Sequence, residues 1–189
     1  MQFIYPFNLT KTILKSAVST DTLRPAMAGV YYDVDESRLV ATDGHIMVTY
    51  PVEPGEDDVS CIIPVDAFSK DVEEIGTAMS STPEVMPAKI TVVTKSGIIM
   101  MDSISERYPS WKSIWPDRDP KNKPVPVDVI KFNAKLLGRL GKVIPSIGKD
   151  SASSVKLTFY GNNKGVVFET TMNDTGPEIK GLIMPMLLD

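Results

Sequence analysis

Apolar positions along this chain keep two rhythms, and the rhythms alternate in a set order. Spacings of three and four residues mark one face of a helix. Every-second-residue patterns mark strands. Together they predict a strand, a helix and three more strands, repeated three times at intervals of roughly sixty residues. In the first unit Phe3 to Phe7 reads as extended. Asn8 is placed to cap a helix from Leu9 to about Val18, with Leu9, Ile13, Leu14 and Ala17 on one face. Arg24-Pro25 breaks the chain, and Met27 to Val34, Arg38 to Thr42 and Ile46 to Val52 follow as strands. Asp35-Glu36 and Asp43-Gly44 are turn pairs.

The second unit opens with a strand from Ser60 to Val65. Asp66 then caps an expected helix with Phe68, Val72, Ile75 and Met79 on one face, followed by a Ser/Thr/Pro-rich loop from Ser80 to Pro87. Lys89 to Thr94, Ile98 to Ser103 and a short piece at Ser105 to Tyr108 complete it, with Ser96-Gly97 as a hairpin turn. The third unit opens at Val127 to Phe132. Asn133 caps a helix carrying Leu136, Leu137, Leu140 and Ile144, which Pro145 helps to end. Val155 to Tyr160, Val166 to Thr171 and Ile179 to Met186 are its strands. The fold class expected is α+β, with helices on one face of antiparallel sheets.

The stretch from Trp115 to Pro124 is rich in proline and charge and poor in apolar side chains, so it reads as a linker. The division expected is a complete domain over residues 1–116 (units 1–58 and 59–116), a linker over 117–125 and a half domain over 126–189.

Net charge is −4, which argues against a uniformly basic nucleic-acid surface. The distribution matters more than the total. The first helix carries Lys11 and Lys15, and the third carries Lys135, Arg139 and Lys142. Each set forms a stripe on the side away from the leucines, and neither helix has an acidic residue. The stripes are either solvated helix faces or phosphate contacts that read no bases. The second helix sets Lys70 against Asp71, Glu73 and Glu74.

Catalytic chemistry is sparse. His45 is the single histidine, and Cys61 the single cysteine, placed in an apolar run that suits a buried thiol. No phosphate loop, dinucleotide fingerprint, nucleophile elbow or metal-ligand spacing is present. No enzyme, cofactor, metal or membrane span is expected. One unpaired thiol and no signal peptide fit a reducing cytoplasm.

Three segments together carry a resemblance. Arg24 to Tyr32 with Leu39 to His45 resembles the middle domain of the β sliding clamp of bacterial DNA polymerase III. Tyr108-Pro109-Ser110-Trp111-Lys112-Ser113-Ile114-Trp115-Pro116 is similar to the segment closing that domain. Leu182-Ile183-Met184-Pro185-Met186-Leu187-Leu188 is similar to the clamp's end. The resemblance implies the DNA-clamp fold, built from β-α-β-β-β units, with helices lining a hole around duplex DNA. It implies a processivity factor that docks linear peptides of a DNA polymerase or another replication or repair protein, with a clamp loader as a further partner. The peptide pocket implied comprises Met27, Thr42, Gly44, His45, Ile46, Met47, Pro109, Ser113, Ile114, Leu182, Met184, Pro185 and Met186. Ile46, Ser113 and Leu187 stand where the family commonly has arginine. With three units where the family's chains have six, closure requires a homo-oligomer, about four chains for a twelve-unit ring. The rival reading is a clamp-fold adaptor or decoy that uses the pocket alone.

Overall fold

The computed structural model describes residues 1–4, 7–68, 72–78, 87–143, 154–170 and 178–187. The expectations placed on Lys70, Asp71, Met79, Ile144, Pro145, Thr171 and Leu188, and on most of the loop before Pro87, lie outside them.

The first unit holds β1 (Gln2–Phe3), α1 (Phe7–Ala17), β2 (Gly29–Asp33), β3 (Arg38–Thr42) and β4 (Ile46–Glu53). The second holds β5 (Cys61–Pro64), β6 (Val72–Ala78), β7 (Lys89–Thr94) and β8 (Gly97–Asp102). The third holds α2 (Ala134–Val143), β9 (Lys156–Thr158), β10 (Val166–Thr170) and β11 (Ile179–Ile183). All strand pairs are antiparallel. An eight-stranded sheet runs β5-β2-β3-β4-β11-β10-β9, with β1 beside β4, and a separate sheet runs β6-β7-β8. No described helix is long and apolar enough to cross a membrane.

The strand β4 is buried almost throughout because the large sheet is covered on both faces. Ile46, Val48, Tyr50 and Val52 point into one core with Ile13, Leu14 and Ala17 of α1 and Leu136 and Leu140 of α2. Met47 points the other way, into a second core with Val40, Ile62, Tyr108, Trp111, Trp115, Val167 and Leu182. Complete burial of a residue such as Leu14 contributes about 1.5–3 kcal/mol. Trp111 lays its indole N–H on Asp33 at 3.0 Å and meets Trp115 edge-on. Cys61 is buried in the first core, and burial pushes its thiol up to about 12, so it is an inert packing group.

Three local expectations change. Among the described residues of 66–79 the second unit has no α-helix: they hold a single helical turn at Val65–Ala67 and the strand β6. The helix-like spacing there has another cause. A β-bulge between Val72 and Glu74 puts both glutamates outside, so Val72 and Ile75 are buried three residues apart on a strand. Asn8 lies inside the first turn of α1, where its carbonyl accepts the Thr12 hydroxyl at 2.9 Å; it is not the cap. The expected strand at 127–132 is reduced to one bridge between Lys131 and Met186; the backbone pairs earlier instead, where Val125, between Pro124 and Pro126, donates its N–H to the Phe159 carbonyl at 2.9 Å. Asn133, by contrast, does cap α2, accepting the Lys135 N–H at 2.9 Å.

Candidate nucleic-acid interface

The helices α1 and α2 pack on each other and on the same face of the large sheet. Where the end of α1, the loop after it, the β3–β4 turn and α2 converge, there is a cleft of ≈ 500 Å³. Lys15, Arg24, Arg139 and Lys142 line it, with His45, against two carboxylates, Asp21 and Asp43. The cleft is therefore net positive in a chain of net charge −4. Lys11 lies half-buried on α1, and Lys135 is exposed at the start of α2.

Arg139 differs from its neighbours. Its Nη1 donates to Asp43 Oδ2 at 2.5 Å, and its Nε and Nη2 donate to the Ser16 carbonyl at 3.1 and 2.6 Å. Ser16 sits in the last turn of α1, where carbonyls lack helical partners and a cation is favoured. Arg139 thus ties both helices to the turn, while Lys15 and Lys142 remain exposed.

The turn itself is tightly organised. Gly44 has φ +89, a conformation glycine adopts without a Cβ clash. Asp43 Oδ1 accepts the N–H groups of His45 and Ile46 at 2.9 and 3.0 Å, and Thr42 Oγ1 accepts that of Gly44 at 3.1 Å. Burial alone would raise the Asp43 pKa; the Arg139 hydrogen bond and these N–H groups outweigh it and hold the carboxyl below its ordinary value.

The residues expected at the peptide pocket occupy several environments. Ile46, Met47, Thr42 and Leu182 are buried, with Met47 opposite Leu182 across the β4–β11 pair. The Met184 N–H donates to the His45 carbonyl at 2.9 Å, which brings the chain's last segment onto the turn. Met184, Met186 and Ile114 are 38%, 43% and 55% exposed, and Gly44, His45, Pro109 and Ser113 are also exposed. Met27 and Pro185 are half-buried. Pro109 and Ser113 line a cleft of ≈ 470 Å³ with Tyr31, Tyr108, Trp111 and Lys112, whereas the His45 side chain lines the basic one. Arg24 was not among the expected site residues. Its place before Pro25 marks it as a chain break, and only the folded loop brings its guanidinium over Gly44.

No protein-family model and no curated protein matches the chain. Solved structures do. The sliding clamp (DNA polymerase III subunit beta) of Bartonella birtlesii aligns with a TM-score of 0.67 and 15% identity, over 96% of this chain and 64% of that one. DNA polymerase III subunit beta of Borrelia burgdorferi aligns with 0.66 and 20%, over 97% and 62%. The beta subunit of Thermotoga maritima aligns with 0.67 and 13%, over 98% and 65%. This chain spans less than two thirds of each of these. At such identities the likeness speaks for architecture: the chain has the α+β fold of the bacterial sliding clamps, antiparallel sheets with few helices.

Proposed function

We propose that this chain is a sliding-clamp-like processivity factor that encircles duplex DNA as a homo-oligomer and docks peptides of a DNA polymerase or another replication or repair protein. The observation that carries the reading is the net-positive cleft between α1 and α2, set in a clamp fold of otherwise acidic composition. Ammonium groups on long stems make weak, sequence-blind phosphate contacts, which suit a ring that must slide. The role is one of tethering, without catalysis, in the cytoplasm, with a clamp loader as a further partner. Residues 1–116 would act as a complete domain and 126–189 as a half domain, with Lys11, Lys15, Lys135, Arg139 and Lys142 facing DNA. The peptide pocket would lie where Met184 meets the 43–45 turn.

Reversing Lys15 and Lys142 together to Glu tests the DNA contact. Retention on duplex DNA should fall by roughly tenfold or more at low salt, and its salt dependence should flatten, with thermal unfolding unchanged. Retention equal to the parent's at every salt concentration would assign both lysines to a merely solvated face. An adaptor that uses only the peptide site is the second reading. It draws support from Met184, an apolar side chain left exposed where its backbone N–H meets the His45 carbonyl.

A further inference from the structure

The large sheet carries a further cleft on the face away from α1 and α2. Side chains alternate along a strand, so Arg38, Thr49 and Lys180 share the face of Val40, Met47 and Leu182, which belong to the second core. There they line a cleft of ≈ 270 Å³ together with Trp115, Asp117 and Arg118. Most of its charges are matched. Arg118 grips Glu36 with two nitrogens, at 3.2 and 2.7 Å. Lys180 Nζ pairs with Asp117 at 2.5 Å and with Glu169 at 3.1 Å.

Two donors are not matched. Among the described residues Arg38 makes no ion pair. Both of its hydrogen bonds use Nη1, to Thr49 Oγ1 at 3.3 Å and to the Glu178 carbonyl at 3.1 Å. Its Nε and Nη2 form the other edge of the guanidinium, where two parallel N–H groups fit a carboxylate. Burial lowers the Arg38 pKa, against the pull of the Glu178 and Glu36 carboxylates nearby. The second donor is the Trp115 indole. Trp115 is 4% exposed, and its Nε1–H, which can only donate, has no acceptor among the described residues. Such orphaned buried donors are rare in native structures and point to a missing acceptor.

We propose that this cleft binds a short-chain monocarboxylate, whose oxygens accept from the Nε–Nη2 edge of Arg38 and from the Trp115 indole N–H. A single negative charge suits the site. One cation there is unmatched, and Glu178, which also lines the cleft, opposes a second negative charge. The rings of Trp111 and Trp115 offer a short alkyl tail an apolar wall. In the basic cleft on the helix side, by contrast, cations outnumber carboxylates and a polyanion is favoured.

The site needs neither DNA nor a partner peptide, so it stands or falls apart from the clamp reading. The full chain, isotope-labelled in its two tryptophans, should be titrated with sodium butyrate against sodium chloride at equal ionic strength. The Trp115 indole N–H resonance, assigned with Trp115→Phe, should move downfield and saturate as the bond forms. That of Trp111, already committed to Asp33 at 3.0 Å, should move little. Butyramide, the neutral counterpart, should leave both in place. Arg38→Gln should weaken butyrate binding by about tenfold or more. Since loss of a half-buried cation could disturb folding, Arg38→Lys is the gentler variant. It keeps the charge without the planar fork and should bind severalfold more weakly than the parent. A Trp115 resonance that ignores butyrate overturns the proposal. So does an equal response to butyramide, or parent-like binding by a folded Arg38 variant.

Discussion

Arg139 Nη1 lies 2.5 Å from Asp43 Oδ2, and this pair joins α2 to the turn between β3 and β4. The same guanidinium holds the Ser16 carbonyl at the end of α1. One side chain thus fixes the geometry in which Lys15 and Lys142 stand free. Within the basic stripe of α2, Arg139 also builds the cleft, while Lys135 and Lys142 on either side of it are exposed.

Arg139→Ala should cost about 2 kcal/mol, because it strands a partly buried carboxylate and a helix-terminal carbonyl. For a chain of this length that lowers Tm by roughly 4–8 °C. Arg139→Lys should recover only part of the loss, since an ammonium lacks the planar fork that reaches both acceptors. Thermal unfolding followed by circular dichroism checks both; a Tm like the parent's for the alanine variant would deny the linking role.

Asp58 is a second point of cohesion, and it titrates. Its carboxylate accepts from Tyr32 Oη at 2.8 Å, from the Gly55 and Thr77 N–H groups at 2.8 and 3.0 Å, and pairs with the amino-terminal ammonium at 2.7 Å. Burial works to raise its pKa, but these donors prevail and bring it down to about 2. The folded pKa is below the unfolded one. The stabilisation, about 2 kcal/mol, is therefore complete above the ordinary carboxylate range and is lost as pH falls through it toward 2. Denaturant unfolding of the parent and of Asp58→Asn should show a gap at pH 7 that narrows between pH 4 and pH 2. A gap constant across that range would contradict the assignment.

Much of this architecture is legible in the order of residues. Arg38 to Thr42 and Lys89 to Thr94 are strands at the residues their patterns mark, and Asn133 caps the helix it precedes. The expected helix at 66–79 fails because a bulge mimics the three-residue spacing of a helix face, and no single-chain pattern separates the two. The site is legible only in its parts. The stripes mark Lys15, Arg139 and Lys142 as cations on helix faces. That Asp43 engages one of them depends on α2 packing over a turn far away in sequence, and Arg24 enters the cleft only through the same folding of loops.

Met186 lies near the chain's end, 43% exposed, with its backbone N–H donating to the Lys131 carbonyl at 2.7 Å. Met186→Lys keeps that bond and puts a charge where an apolar peptide would rest. Binding of a hydrophobic linear peptide from a DNA polymerase, read by fluorescence anisotropy, should weaken by about tenfold or more with Tm preserved. A folded variant that binds like the parent would remove this segment from the pocket.

A ring around DNA would be held by closure more than by contact. The protein should be loaded onto a nicked circular duplex, passed through a sizing column at high salt, and compared with the same complex after the circle is cut once. High salt removes the phosphate attraction and leaves only the link between ring and circle. Protein should elute with the circle and be lost on linearisation. Equal release from circular and linear DNA would contradict it.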